Sequence, residues 1–210
     1  KALVRFSHEA AAQRLHEFSE LVERAGLTAS TRMFAGNENR AARRLARYSR
    51  NFDLLVLRQP NPNNRNFSVF WGIAQEVLLL SGRPVYFVPY IGSRRLSGSK
   101  AMIAWDGSPS ATRAVHDALP LLRQKEDVVI TVVREGKSKS AKRETLTENL
   151  ASHLQRHGVN ARINAIHPGT YDVPTVILNE MADHDIDLLV MGGYGTPSLK
   201  QKFFGGVPRT

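Results

Sequence analysis

Phe52-Asp53-Leu54-Leu55-Val56-Leu57 returns as Ile186-Asp187-Leu188-Leu189-Val190-Met191, at an offset of 187 − 53 = 134 residues. Each is a short apolar run without alternation, the pattern of a strand buried on both faces. The surroundings repeat as well. Upstream of each run a glycine ends a helical stretch and a strand-like segment follows: Gly26 before TASTRMF, Gly158 before VNARINAI, an offset of 158 − 26 = 132. Self-similarity at nearly one offset makes the chain two copies of one design.

Working outward from 186–191, the second copy is the more complete. The run 100–105 (KAMIAW) reads as an apolar strand, and Ser108-Pro109 then supplies an N-cap with proline at the first helical position. Ala111, Ala114, Val115, Ala118, Leu119 and Leu122 recur at helical spacing, so a helix burying one face is expected there. A strand over 127–133 (DVVITVV) follows, then a basic polar run over 136–143. A helix with Leu146, Leu150 and Leu154 on one face comes next, capped by Gly158. Strand 159–166, helix 172–184 and strand 186–191 complete the alternation. Buried strands separated by helices predict an α/β fold with a parallel sheet and right-handed crossovers.

The first copy begins at its helix, with Ala11, Leu15, Phe18, Val22 and Ala25 as the apolar stripe. Strand 29–34, an Arg-rich helix over 38–49, strand 52–57, a helix around 69–80 and strand 84–89 (PVYFVP) are expected in turn. The polar, glycine-containing run 91–99 suits a linker. The division expected is therefore 1–98, a domain without its first strand, and 99–210, a domain that ends after its glycine run, where the first copy predicts one more helix and strand.

The chain has 210 residues, 42% of them hydrophobic, enough to supply a buried core. It has 29 Lys and Arg against 19 Asp and Glu, a net charge of +10, which favours anionic partners without choosing among them. The absence of cysteine excludes a disulfide framework, thiol redox chemistry and Cys-ligated zinc. No apolar run approaches the ~18 residues a membrane span needs, and the first residues lack a signal-peptide core. A cytoplasmic protein is expected.

Open parallel sheets bind ligands at the carboxyl ends of their strands. After strand 100–105 comes Asp106-Gly107-Ser108, and after strand 186–191 comes the run from Gly192 to Val207, with glycines in a G-x2-G-x9-G-G pattern at Gly192, Gly195, Gly205 and Gly206. Backbone N–H groups cradle phosphate only where the chain comes close and takes unusual dihedrals, which glycine permits. The pattern is neither a Walker A loop nor G-x-G-x-x-G.

With these motifs the second copy resembles the universal stress proteins, and the whole chain resembles a tandem member of that family. The resemblance rests on AWDGS at 104–108, the A-L-P helix ending at Pro120, DLLVMGGYG at 187–195 and GGVPRT at 205–210. The first copy shares the layout and the SGRPVYFVP ending only. The resemblance implies two flavodoxin-like domains of the adenine nucleotide alpha hydrolase type, packed as an intrachain pseudo-dimer or forming a homo-oligomer. It also implies a stress-response sensor or signalling module that binds ATP in the second domain, with or without Mg²⁺. Asp106 would hold the adenosine, Val132 would line the adenine pocket, and Gly192, Gly195, Gly205 and Gly206 would cradle ribose and phosphates.

Two positions depart from the family pattern. Gly206 stands where the family has Ser or Thr, losing a hydroxyl donor while keeping the N–H. The loop 58–66 of the first copy, RQPNPNNRN, has no glycine, so one site per chain is expected. The alternatives are a nucleotide-free dimeric scaffold and, less favoured, a nucleic-acid-associated protein. No residue stands out as a water-activating base, so a binding module is expected rather than an efficient enzyme, with slow ATP hydrolysis left open.

Plainer readings stand beside several residues. Asp106 has the sequence of an Asx turn leading into the helix cap. Trp105 fits core packing, and Lys200 and Lys202 fit an ordinary basic surface. His153 and His157 share a helix face but lack the glutamate of H-E-x-x-H, so no metal site is expected. The stretch 40–50 (RAARRLARYSR) reads as the solvated face of a helix rather than a nucleic-acid stripe.

Overall fold

Val128, Val129 and Ile130 follow one another without a polar break because both faces of the strand they form are covered. The computed structural model describes residues 2–34, 37–91, 98–134 and 141–193. Its second half holds β3 (Lys100–Ala104), α4 (Pro109–Leu122), β4 (Asp127–Val133), α5 (Ala141–Arg156), β5 (Ala161–Ile166), α6 (Val173–Asp183) and β6 (Leu188–Met191). The four strands are parallel, in the order β5-β4-β3-β6. Alternate residues then divide between two cores. Ala101, Ile103, Val128, Ile130, Leu188 and Val190 meet Val115, Leu119 and Leu122 of α4 and Leu150 and Leu154 of α5. Met102 and Val129 meet Ile177 of α6 and Ile186 on the opposite face.

The first half contains α1 (Ala2–Arg24), α2 (Glu38–Ser49), β1 (Leu55–Arg58), α3 (Phe67–Leu80) and β2 (Val85–Val88). β1 and β2 form a parallel pair. Leu55 of β1, Ala46 of α2 and Val77 of α3 make its small core. The repeat is physical as well as textual. Gly26 and Gly158 take φ of +65° and +78°, and in both copies the following N–H reaches back five residues, Leu27 to Val22 O and Val159 to Leu154 O, each at 3.0 Å. Only glycine enters that left-handed cap without strain.

The halves touch. Tyr86 of β2 packs against the larger core of the second half, and its phenol pKa is raised by burial. Asp187 fastens the entry to β6: its N–H donates to Lys100 O at 3.1 Å and its carboxylate accepts the Lys100 N–H at 3.2 Å. A Cβ on Gly98 would overlap that carboxylate, so the join between halves needs glycine there.

Several expectations from sequence are corrected. Residues 29–34 are not a strand and are largely exposed. Their counterpart β5 pairs with β4, and the described first half has no equivalent of β4 to complete the ladder. The stripe of α1 is not buried, Phe18 being 48% exposed, because no described helix or strand packs closely on it. Leu146 on α5 is 42% exposed while Leu150 and Leu154 are buried. β1 and β6 begin two to three residues later than the apolar runs that announced them, and α4 continues past Pro120 to Leu122. Among the described residues no helix is long and apolar enough to cross a membrane.

Where α4 meets the end of α5, three imidazoles cluster with tilted rings: His153 lies 4.8 Å from His116 and 4.6 Å from His157, centroid to centroid. His153 Nε2 is enclosed without a hydrogen-bond partner. Burial first, then the charges of His157, His116 and Arg156, holds its pKa below the ordinary 6.5. The folded chain thus binds fewer protons than the unfolded one in the window just below 6.5. This contribution to stability is complete above that value and is lost as the pH falls through the window. Thermal unfolding is expected at a lower temperature at about pH 5.5 than at about pH 7.5, with a shallower dependence in His153→Leu. An unchanged pH slope in the variant would exclude the trio as the cause.

Candidate functional site

The strand order places a reversal between β3 and β6: the chain leaves β3 for β4 on one side and returns to β3's other side only at β6. Ligand crevices of open parallel sheets form outside the strand ends at such a point. The loops that leave these two strands are Asp106-Gly107-Ser108 and the glycine run beginning at Gly192.

The first loop is built by local chemistry. Trp105 N–H donates to Thr131 O at 2.9 Å, holding the chain against β4 as β3 ends. Gly107 then turns at φ +76°. Asp106 is exposed, and its Oδ1 accepts the Ser108 N–H at 2.9 Å, an Asx turn. Ser108 Oγ in turn accepts the Ala111 N–H at 3.1 Å and sits 3.0 Å from Ser110 Oγ, capping α4 with Pro109 at its first position. The Asx turn foreseen for Asp106 is present, and it uses one carboxylate oxygen. Among the described residues the other accepts no hydrogen bond.

The second loop meets the first at close quarters. Ala104 and Met191 are register partners, which brings Gly192 level with Trp105. A Cβ on Gly192 would lie 2.7 Å from the Ala111 backbone N and 2.7 Å from Ser110 Oγ, so β6 runs into the first turn of α4 with no space for a side chain. The positive end of the α4 dipole faces the same crevice.

Of the residues singled out from sequence, Asp106 and Gly192 are thus brought to one edge. Val132 is half-buried near the end of β4, paired with Ala165 and packed on the larger core. Trp105 also packs on that core, as expected. Gly195, Gly205, Gly206, Lys200 and Lys202 lie outside the described residues. Beyond β4, the Arg134 guanidinium is neutralised by Glu144 at 2.9 Å. Among the described residues no three His, Cys, Asp or Glu side chains are grouped to hold a metal ion.

Leu78 of α3 was not foreseen here. Its side chain would lie 3.4 Å from a Cβ on Gly193, so the first half reaches the start of the glycine run. The available signal was the all-round apolarity of FSVFWGIAQEVLLL, since a helix apolar on both faces needs cover on both. The first half's own loop after β1 differs in kind: Asn61 and Asn64 side chains accept the N–H groups of Asn63 and Asn66 at 2.9 and 2.8 Å, closing it into two Asx turns.

The universal stress protein family model matches residues 99–210, more than half of the 210. The chain belongs to the universal stress protein family. No curated protein sequence matches it. Among solved structures, a universal stress protein from Archaeoglobus fulgidus DSM 4304 is similar at a TM-score of 0.67 and 19% identity, over 93% of this chain and 70% of that one. At this identity the likeness concerns the fold, and it includes the first half. A family member from Burkholderia pseudomallei is similar at TM-score 0.38 and 23% identity, over 53% of this chain and 89% of its own. A universal stress protein solved in complex with cAMP gives 0.38 and 21%, over 53% and 86%. For this universal stress protein, the family assignment and the α/β fold of parallel sheets flanked by helices stand on the second half.

Proposed function

We propose that residues 99–210 bind an adenine nucleotide, ATP in the first instance, at the β3–β6 crevice, and that the chain is a tandem pair of flavodoxin-like domains acting as a cytoplasmic sensor or signalling module. The observation that carries this is the juxtaposition at Gly192: the glycine run starts against the capped N-terminus of α4, beside the Asp106 carboxylate, which among the described residues engages only one of its oxygens. Asp106 suits a hydroxyl or amino donor of the adenosine part, and Val132 suits an apolar flank for the base. Gly192, with Gly195, Gly205 and Gly206, suits backbone donation to ribose and phosphates, with Mg²⁺ as an optional companion of the phosphates. The first half's loop turns donors toward its own asparagines, in keeping with one site per chain. Its β2 and α3 lean on the second half in keeping with a pseudo-dimer.

Calorimetric titration with ATP, with and without Mg²⁺ and with cAMP as competitor, tests the proposal. One site per chain is expected. Asp106→Ala should weaken it about 10- to 100-fold, the loss of a hydrogen bond to a charged group. Gly206, where the family has Ser or Thr, favours the second reading, a nucleotide-free scaffold acting through protein contacts. Absence of any heat of binding with all of these nucleotides would put that reading first.

A further inference from the structure

α1 carries its apolar residues in a seam that no described element covers. Ala11, Leu15, Phe18, Val22 and Ala25 follow at steps of four, three, four and three, the spacing of a two-stranded coiled coil, and Leu21 widens the seam on one side. Phe18 is 48% and Leu21 59% exposed, and no described helix or strand packs closely on α1. A helix of 23 residues draws most of its stability from a packed apolar face. The pairs along this one are exposed and therefore weak: Glu20 with His16 at 3.3 Å and Arg24 at 3.6 Å, and Gln13 donating to Glu17 at 3.2 Å. By helical spacing they lie outside the seam, so a neighbour seated on it leaves them intact.

The charges decide what fits there. Residues 1–98 hold 15 Lys and Arg against 7 Asp and Glu, a balance of +8, yet three of the seven acids, Glu17, Glu20 and Glu23, fall together near the end of α1. Residues 15–24 thus have three acids against Arg24, a balance of −2, whereas 2–14 have Arg5 and Arg14 against Glu9, a balance of +1. An anionic lipid surface repels the acidic end. A parallel copy of the helix would set two acidic ends side by side, which disfavours that orientation. An antiparallel copy separates them. Turned about Phe18, the seam maps onto itself, Ala11 onto Ala25 and Leu15 onto Leu21. The same turn brings Arg14 of each helix level with the stretch between Glu20 and Glu23 of the other. A surface complementary to itself is what a two-fold interface requires.

We propose that α1 is a self-association surface: two copies of the chain pair antiparallel through residues 11–25, with the two Phe18 rings at the axis. The seam is short, so the dimer is weak and concentration-dependent. It joins two chains, in addition to the contact between halves within one. It uses no residue of the β3–β6 crevice and stands or falls independently of nucleotide binding.

The test is sedimentation velocity of the whole chain from about 1 to about 100 µM, where a monomer–dimer equilibrium of this strength is populated on both sides. Phe18→Glu should weaken the dimer roughly thirtyfold or more, the loss given by a central aromatic anchor. Its thermal unfolding should stay parental, because α1 packs closely on no described element. Glu20→Lys/Glu23→Lys should weaken association several-fold at about 50 mM salt and far less at about 500 mM, since exposed charges are screened. Orientation is read by disulfide capture, which the absence of native cysteine makes unambiguous. In an equal mixture of Ala11→Cys and Ala25→Cys chains under mild oxidation, antiparallel pairing gives disulfides between position 11 of one chain and position 25 of the other. A chain that stays monomeric to about 100 µM, or a dimer untouched by Phe18→Glu, would overturn the proposal. So would same-position disulfides, which require parallel pairing, and so would a monomer that sediments with lipid vesicles, which would give the seam to a membrane surface.

Discussion

Gly192→Ala should disable the β3–β6 crevice, although it adds one methyl group. The new Cβ would fall 2.7 Å from the Ala111 backbone N and 2.9 Å from the Ser110 carbonyl carbon. These are backbone atoms in the first turn of a capped helix, and they cannot rotate aside. Either the end of β6 lifts away from β3 or the α4 N-terminus moves off its Ser108 cap. Overpacking of this kind costs about 1–3 kcal/mol, and the displaced loop should lose nucleotide affinity by at least roughly tenfold, the equivalent of about 1.4 kcal/mol. Gly193→Ala is the internal comparison, because among the described residues the nearest atoms to its Cβ would be those of the flexible Leu78 side chain, at 3.4 Å. That variant should stay within about 0.5 kcal/mol of the parent, as ordinary substitutions do. Equal stability and equal ATP binding in both variants would show that β6 does not press on α4 as described.

The second half was largely legible because its local and global signals agree. The Ser108-Pro109 start of α4, the unbroken apolar run of β4 and the Gly158 cap each have a local cause that the tertiary structure leaves in force. Asp106 and Gly192 were legible for another reason: once strands are parallel and alternate with helices, the residues just after them share an edge. The strand expected at 29–34 failed where pairing, not composition, decides. TASTRMF has enough β-branched and apolar residues, but a strand needs a neighbour, and that information is nonlocal. The contact of Leu78 with the glycine run was hidden likewise, announced only by an excess of apolar residues on α3. The pairing of Tyr48 with Phe34 and Phe52 crosses from a loop to a helix to the turn after it, a juxtaposition that no periodicity encodes.

The nonlocal contacts also bear on how the molecule unfolds, and Ile130→Ala tests this. Ile130 is fully buried at the centre of β4, with Ile103 of β3 and Ile163 of β5 as register partners on its two sides. Removing three carbons from such a place leaves a cavity that strands pinned on both sides cannot close, a loss of about 2–5 kcal/mol. Against a total stability of about 5–15 kcal/mol for a domain, that is a large fraction. Among the described residues the first half has no comparable reserve: Ala46, Leu55 and Val77 are its buried cluster, and Val56 on the far side of β1 is exposed. It therefore depends on Tyr86 and Leu78 resting against the second half. Each half carries one tryptophan, Trp71 on α3 and Trp105 after β3, so Trp71→Phe and Trp105→Phe give single reporters of the two halves. In the Ile130→Ala background the urea midpoints seen by both reporters should fall together, because the loss in the second half is passed to the first through those contacts. A Trp71 midpoint that stays at its parental value while that of Trp105 falls would mean that the first half folds by itself, and that Tyr86 and Leu78 merely touch the second.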